Sequence, residues 1–125
     1  MNKMKRAFIC APLRNNVNQN IINAVRFGEY ALKECDTTPV VPHFFGLMLD
    51  DSNNKERELG CRADMSLLWL VDEVWVFGEE ITEGMREEIK RAKMLQIPIK
   101  YHSDSKVQKI LTKYGGNKFD SVFKK

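Results

Sequence analysis

The stretch DEVWVFGEEITEGMREEIKRAKMLQIPIKYH, residues 72–102, decides the fold. Val74 to Phe77 form a short apolar, β-branched and aromatic run between two acidic residues and Gly78, which predicts a buried strand. IPIKYH, at the far end, predicts another. Between them, Met85, Ile89, Ala92 and Gln96 fall within about 40° of one direction at 100° per residue, so the segment is a helix with one inner face. Strand, helix and strand in succession imply a right-handed crossover and parallel pairing.

The rest of the chain repeats the alternation. RAFICAP (6–12) is a buried strand ending at proline. After the loop LRNN, residues Val17, Ile21, Ala24, Val25, Gly28, Ala31, Leu32 and Cys35 mark one face of a long helix, with Asn16 or Asn18 able to cap it. TPVVPHFF (38–45) is a second short strand bracketed by prolines. LDDSNNKERE (49–58) is polar and turn-rich, a loop or lid. Residues 57 to 71 are helical and pack through Leu59, Leu67, Leu68 and Leu70, with Trp69 and Trp75 assigned to the core. A last helix spans 104 to 114 and ends at Gly115-Gly116, and Phe119, Val122 and Phe123 give the tail an apolar face for a helical turn or a subunit contact. The expected architecture is a single α/β domain over 1–125, three-layered and Rossmann-like (flavodoxin-like), with a mostly parallel sheet of four to five strands.

Composition narrows the function. With 125 residues, 43% hydrophobic and 30% charged, the chain holds one core. No apolar run approaches the roughly 18 to 20 residues of a membrane span. Cys10, Cys35 and Cys61 are odd in number and widely spaced, which suits reduced thiols in a cytoplasm and gives no metal-ligand spacing with His43 or His102. A net charge of +3 fits a small anionic ligand and does not indicate a long nucleic-acid footprint. Open parallel sheets bind ligands at the carboxyl ends of their strands, which here are followed by APLRNN and GEEITEG. Neither loop carries a GxGxxG or a GxxxxGK[ST].

The glutamates of ITEGMREEIKRA (81–92) separate by helical angle. Glu87 lies about 160° from the inner face with Arg91 at i+4, a solvated pair. Glu83 opens the helix, where negative charge suits the dipole. Glu88 lies about 60° from Met85, at the margin of the inner face, with the small Ala92 at i+4 and no basic partner there. An unpaired carboxylate at a half-buried position is costly. Glu88 is therefore the candidate for chemistry, against the alternative of a boundary glutamate bonded to nearby backbone or arginine.

LVDEVWVFG and ITEGMREEIKRA together resemble the nucleoside 2-deoxyribosyltransferase superfamily, and its small bacterial and phage branch most closely. A strand opening at an aspartate precedes the motif Ser/Thr-x-Gly-x-x-x-Glu-x-x-x-Ala, here Asp72, Thr82, Gly84, Glu88 and Ala92. NIINAVRF, PHFF and LDDSNNKERELG look like the branch's own signatures, and the resemblance spans about residues 7–102, leaving a C-terminal helix and tail at 103–125. The resemblance implies that Glu88 is the nucleophile attacking C1′ of a deoxyribosyl group. FICAPLRNN looks like the phosphate loop of the branch that hydrolyses deoxynucleoside 5′-monophosphates, with Arg14 on its arginine. Asp64, eight residues before Asp72, falls on the acidic residue that assists at sugar or base. Thr82 stands where the hydrolases carry a phosphate-binding serine and the transferases an acid. Asn20 and Arg57 match the branch's pattern without a chemical role following from it. Asn15 and Asn16 replace glycines and Pro12 removes a backbone donor, while Phe8 stands where relatives carry a tyrosine near the nucleophile. His43, by its own position after Pro42, either lines the base pocket or is bonded to backbone.

The expected activity is cleavage or transfer of the N-glycosidic bond of 2′-deoxynucleosides or their 5′-monophosphates. Catalytic roles fall to Glu88 and Asp64, and substrate binding to Arg14, Thr82, Gly84, Asn20 and His43, without metal or other cofactor. The alternative is a non-catalytic nucleotide-binding or sensor module on the same fold, and a weaker one is an interaction domain using the tail. A homodimer or larger homo-oligomer is expected from the relatives' habit of assembly. Asp72 and both tryptophans are expected to be structural.

Overall fold

The structure, a computed structural model, describes residues 3–116. Four strands, β1 (Lys5–Cys10), β2 (Thr37–Val40), β3 (Glu73–Phe77) and β4 (Ile99–His102), form one all-parallel sheet in the order β2-β1-β3-β4. Four helices connect or follow them: α1 (Val17–Cys35), α2 (Asn54–Leu67), α3 (Glu83–Met94) and α4 (Asp104–Tyr114). Phe8 pairs with Val40 on one side and Val74 on the other, and Phe77 pairs with His102.

The strand period of two sorts the core into two layers. Ala7, Ile9, Trp75 and Phe77 point toward α1 and α4, meeting Ala24, Phe27, Tyr30, Ala31 and Ile110. Phe8, Cys10, Val74 and Val76 point the other way, onto Met85, Ile89 and Ala92 of α3 and onto Leu68. The central strands β1 and β3 are thus apolar on both faces, as parallel strands covered by helices must be. The three-layer α/β architecture is the one expected, with four strands in the sheet. Among the described residues no helix is long and apolar enough to cross a membrane.

Several local expectations change. The second strand stops at Val40, and Pro42–Leu47 form a 3-10 turn, since Pro42 cannot donate to a ladder. The polar segment is a turn only through Asn53, whose side chain accepts the Lys55 and Glu56 N–H groups and starts α2 early. After Leu67 the chain tightens into a 3-10 turn, Leu68–Leu70, which changes the helical phase. Leu68 is therefore the one fully buried leucine of the expected four, and Leu59 and Leu70 are exposed. Trp69 is swung outward with them, 74% exposed, while Trp75 is core as expected. Leu32 is also exposed. α3 ends at Met94, and Gln96 follows it exposed, in the left-handed conformation at φ 59°. α4 matches its expected span, with the Ser103 side chain accepting the Lys106 N–H. Phe119, Val122 and Phe123 lie outside the described residues.

Candidate active site

The chain leaves β1 for the edge strand β2 and returns beyond β1 to build β3, so connections diverge between the two central strands. Divergence of this kind opens a crevice at the carboxyl ends. A cleft of about 1120 Å³ lies there, on the α2 and α3 side. Its walls are the loop after β1, the Pro42–Leu47 turn, α2 with Trp69, and the first turns of α3.

Glu88 lies on this cleft and is only 8% exposed. It shares the inner face of α3 with Met85, Ile89 and Ala92, so the helix anchors it through apolar contacts, and among the described residues it has no cationic partner. Asp64, on α2, lines the same cleft. Burial, reinforced by the charge of Asp64, pushes the Glu88 carboxyl up to about 8. Burial also pushes Asp64 up to about 7. Both carboxyls therefore hold their protons well above the usual carboxylate range, into the neutral region. The Cys10 thiol sits beside Glu88 and donates toward it, which partly offsets that rise, and its Sγ is 3.8 Å from Met85 O. Phe8 is packed in the core on the same side. The strand therefore offers a thiol at position 10 in place of a phenol at position 8. Burial, with the Glu88 charge second, holds that thiol far above the usual range.

Thr82 and Gly84 shape the entrance. Thr82 is the N-cap of α3, its Oγ1 accepting the Met85 N–H at 3.2 Å, an interaction worth about 1 kcal/mol. A Cβ built on Gly84 meets nothing within 4 Å, and the residue borders the cleft. Glu83 follows Thr82 as the first helical residue and complements the dipole. Glu87 is exposed as expected, yet it forms no ion pair with Arg91 among the described residues.

His43 is bonded to backbone and also borders the cleft. The ring is 3% exposed and borders the cleft, and its Nε2 is 3.0 Å from Ala11 O. A carbonyl only accepts, so Nε2 carries the proton and Nδ1 is the unprotonated nitrogen, buried and without a protein partner. Burial holds the imidazole below its ordinary pKa and so neutral.

Arg14 reaches the cleft, but its Nε is paired with Asp51 Oδ2 at 3.1 Å, both side chains about half exposed. A pair this exposed contributes about 0 to 1 kcal/mol. Arg57 donates Nε and Nη2 to Asp51 O at 3.1 and 2.8 Å, which gives it the role the sequence did not reveal. Asn20 does not line the cleft. Its Nδ2 donates to Leu13 O (3.0 Å) and Arg14 O (3.4 Å), fixing the loop from behind, and it borders a smaller cavity of about 220 Å³ toward α4. The lost glycines matter less than expected, because Asn15 itself adopts the left-handed region at φ 75°. Asn16 occupies the N-cap of α1 without a side-chain bond to it. Asp72 is structural, as expected: its Oδ2 accepts the Arg6 N–H at 2.8 Å where β1 and β3 begin, away from the cleft.

Sequence reasoning missed Asp51 and Trp69. Asp51 carried no signal beyond its place in a polar turn, and Trp69 was hidden by carrying a helical phase through a 3-10 turn. Cys61, also on the cleft, has its thiol pushed up by burial and by the charges of Asp64 and Glu88, with Arg14 opposing.

Fold and cleft define a parallel α/β domain with two carboxyls of raised pKa lining a cleft at the switch point of its sheet. Residues 5–102 match the family model described as Domain of unknown function (DUF7768), and the chain belongs to that family. No curated protein and no solved structure matches it.

Proposed function

We propose that the chain cleaves or transfers the N-glycosidic bond of 2′-deoxynucleosides or their 5′-monophosphates. The observation that carries this reading is Glu88, held by the core at the edge of a large cleft beside a second protonatable carboxylate. Ionised Glu88 attacks C1′ while the bond to the base breaks, and the bonding pair leaves with the base, which takes the proton of Asp64. The product is a glycosyl ester of Glu88. Water or a second base then attacks C1′, gives its proton to Asp64 and releases Glu88 as carboxylate, with net retention. Thr82 and Arg14 stand where the 5′ end would lie, and the buried His43 ring, held by Ala11 O, forms part of the cleft wall. No metal or redox group is required, since carboxylates stabilise the oxocarbenium-like transition state.

The competing reading is a nucleotide-binding module without turnover. It is favoured by the burial that keeps Glu88, the proposed nucleophile, protonated near neutrality. A developing positive charge at C1′ would oppose that shift by stabilising the Glu88 carboxylate. Dimerisation belongs to the same proposal. α2 buries no residue and exposes Leu59, and the turns it contacts expose Leu47 and Trp69, a face a second copy would cover. Three free cysteines support a reducing, cytoplasmic setting.

Base release measured chromatographically over a panel of deoxynucleosides, deoxynucleoside 5′-monophosphates and ribonucleotides tests the enzyme reading, with Glu88→Gln alongside. Release by the parent chain alone is the expected result. Nucleotide binding without release from any member would move the assignment to the binding module.

A further inference from the structure

The overall charge of +3 does not describe the cleft. Seven carboxylates and four arginines line it, so the ligand's surroundings are net negative in a net positive protein. The arginine best placed for a 5′-phosphate, Arg14, already has a counter-ion in Asp51.

Asp51 is not free to withdraw by moving its backbone. Arg57 grips its carbonyl through two N–H groups. On one side of it, Asp50 accepts the Ser52 N–H and hydroxyl at 3.0 and 2.6 Å and donates its own N–H to Glu56 at 3.0 Å. On the other, Asn53 N–H bonds to Asp50 O at 3.1 Å while the Asn53 side chain caps α2. A phosphate on Arg14 would lie beside the Asp51 carboxylate, which stays between Arg14 (3.1 Å) and Arg57 (3.7 Å), and like charges at such range repel. An uncharged 5′-hydroxyl meets no such penalty and can donate to the same carboxylate.

We infer that Asp51, fixed by Arg57 and paired with Arg14, is a specificity-determining residue that makes the uncharged 2′-deoxynucleoside, rather than its 5′-monophosphate, the ligand of this cleft. The inference rests on the proposed glycosidic chemistry and narrows its substrate class. Thr82 then serves as a helix cap that leaves room at the entrance, and phosphate recognition does not depend on it.

The experiment is calorimetric titration of the Glu88→Gln chain, which holds ligand without turnover, with the four common 2′-deoxynucleosides and their 5′-monophosphates. At least one nucleoside is expected to bind roughly tenfold or more tighter than its own monophosphate. Adding Asp51→Asn should close or reverse that gap by a similar factor, and adding Arg14→Ala to that double variant should remove the gained phosphate affinity. Asn keeps the backbone carbonyl that Arg57 holds, so the turn is retained. A readout needing no substitution at Asp51 is salt: discrimination against the monophosphate should weaken as ionic strength rises. Tighter binding of the monophosphate with Asp51 intact overturns the inference, as does a ratio that neither Asp51→Asn nor salt moves. Glu88-dependent base release from monophosphates alone would leave the glycosidic reading standing and reject this one. Absence of both binding and release, across the panel, rejects the two together.

Discussion

Replacing Glu88 with Gln should stabilise the protein in alkali while abolishing its chemistry. The folded chain holds the Glu88 proton up to about 8, against 4.5 for the ordinary group. The sign follows from proton binding. Between those values the folded state keeps a proton that the unfolded chain has released, so the stability Glu88 provides is complete below about pH 4.5 and is lost as pH rises through about 8. At about 1.4 kcal/mol per unit, the ceiling on that loss is about 4 to 5 kcal/mol. Water entering the open cleft reduces it to about 2 to 3 kcal/mol. At about 4 °C per kcal/mol for a domain of this size, that is about 10 °C. Gln cannot ionise, and its amide oxygen can still accept from the Cys10 thiol. Thermal unfolding followed by circular dichroism should give similar melting temperatures for the two proteins at pH 5, with the variant about 10 °C higher at pH 9. A difference that stays flat from pH 5 to 9 would mean that Glu88 ionises as a solvated acid does, and the argument for a charge-starved nucleophile would fail.

Two further outcomes follow from the cleft. Base release should peak between about pH 7 and 8, and Asp64→Asn should remove the alkaline limb and slow release by about 10²-fold or more, as a pH–rate profile would show. Gly84→Ala should raise the melting temperature slightly, since a first-turn alanine gains up to about 1 kcal/mol of helix propensity and its methyl meets no protein atom, yet it should weaken nucleoside binding by intruding on the cleft, measurable by calorimetry.

How much of this was legible follows from which interactions are local. The strands at 5–10 and 73–77 and the helix at 83–94 were readable because apolar periodicity survives any tertiary context that buries one face. Glu88 was readable for the same reason, as a helical angle fixes which residues border the inner face. The Leu67–Trp69 region misled because a change from 3.6 to 3 residues per turn rotates every later side chain, and nothing in LLWLV announces it. Asp51 was illegible in principle: its meaning comes from Arg14, 37 residues away, and from Arg57 across the turn, and neither distance is encoded in local pattern.

Glu88 is buried at the edge of the cleft without an arginine to pair with among the described residues. A boundary glutamate of no consequence would be expected to meet a cation, and Arg14, Arg57, Arg62 and Arg91 all border the same cleft. None of them neutralises it. Arg14 is committed to Asp51, Arg57 to the Asp51 carbonyl and carboxylate, and the charged neighbour Glu88 does feel is a second carboxylate. Four cations within one cleft, with the most buried acid left unpaired, is a costly arrangement that folding alone gives no reason to keep. It is the arrangement a nucleophile needs, because a carboxylate already satisfied by an arginine has little left to offer a developing cation at C1′.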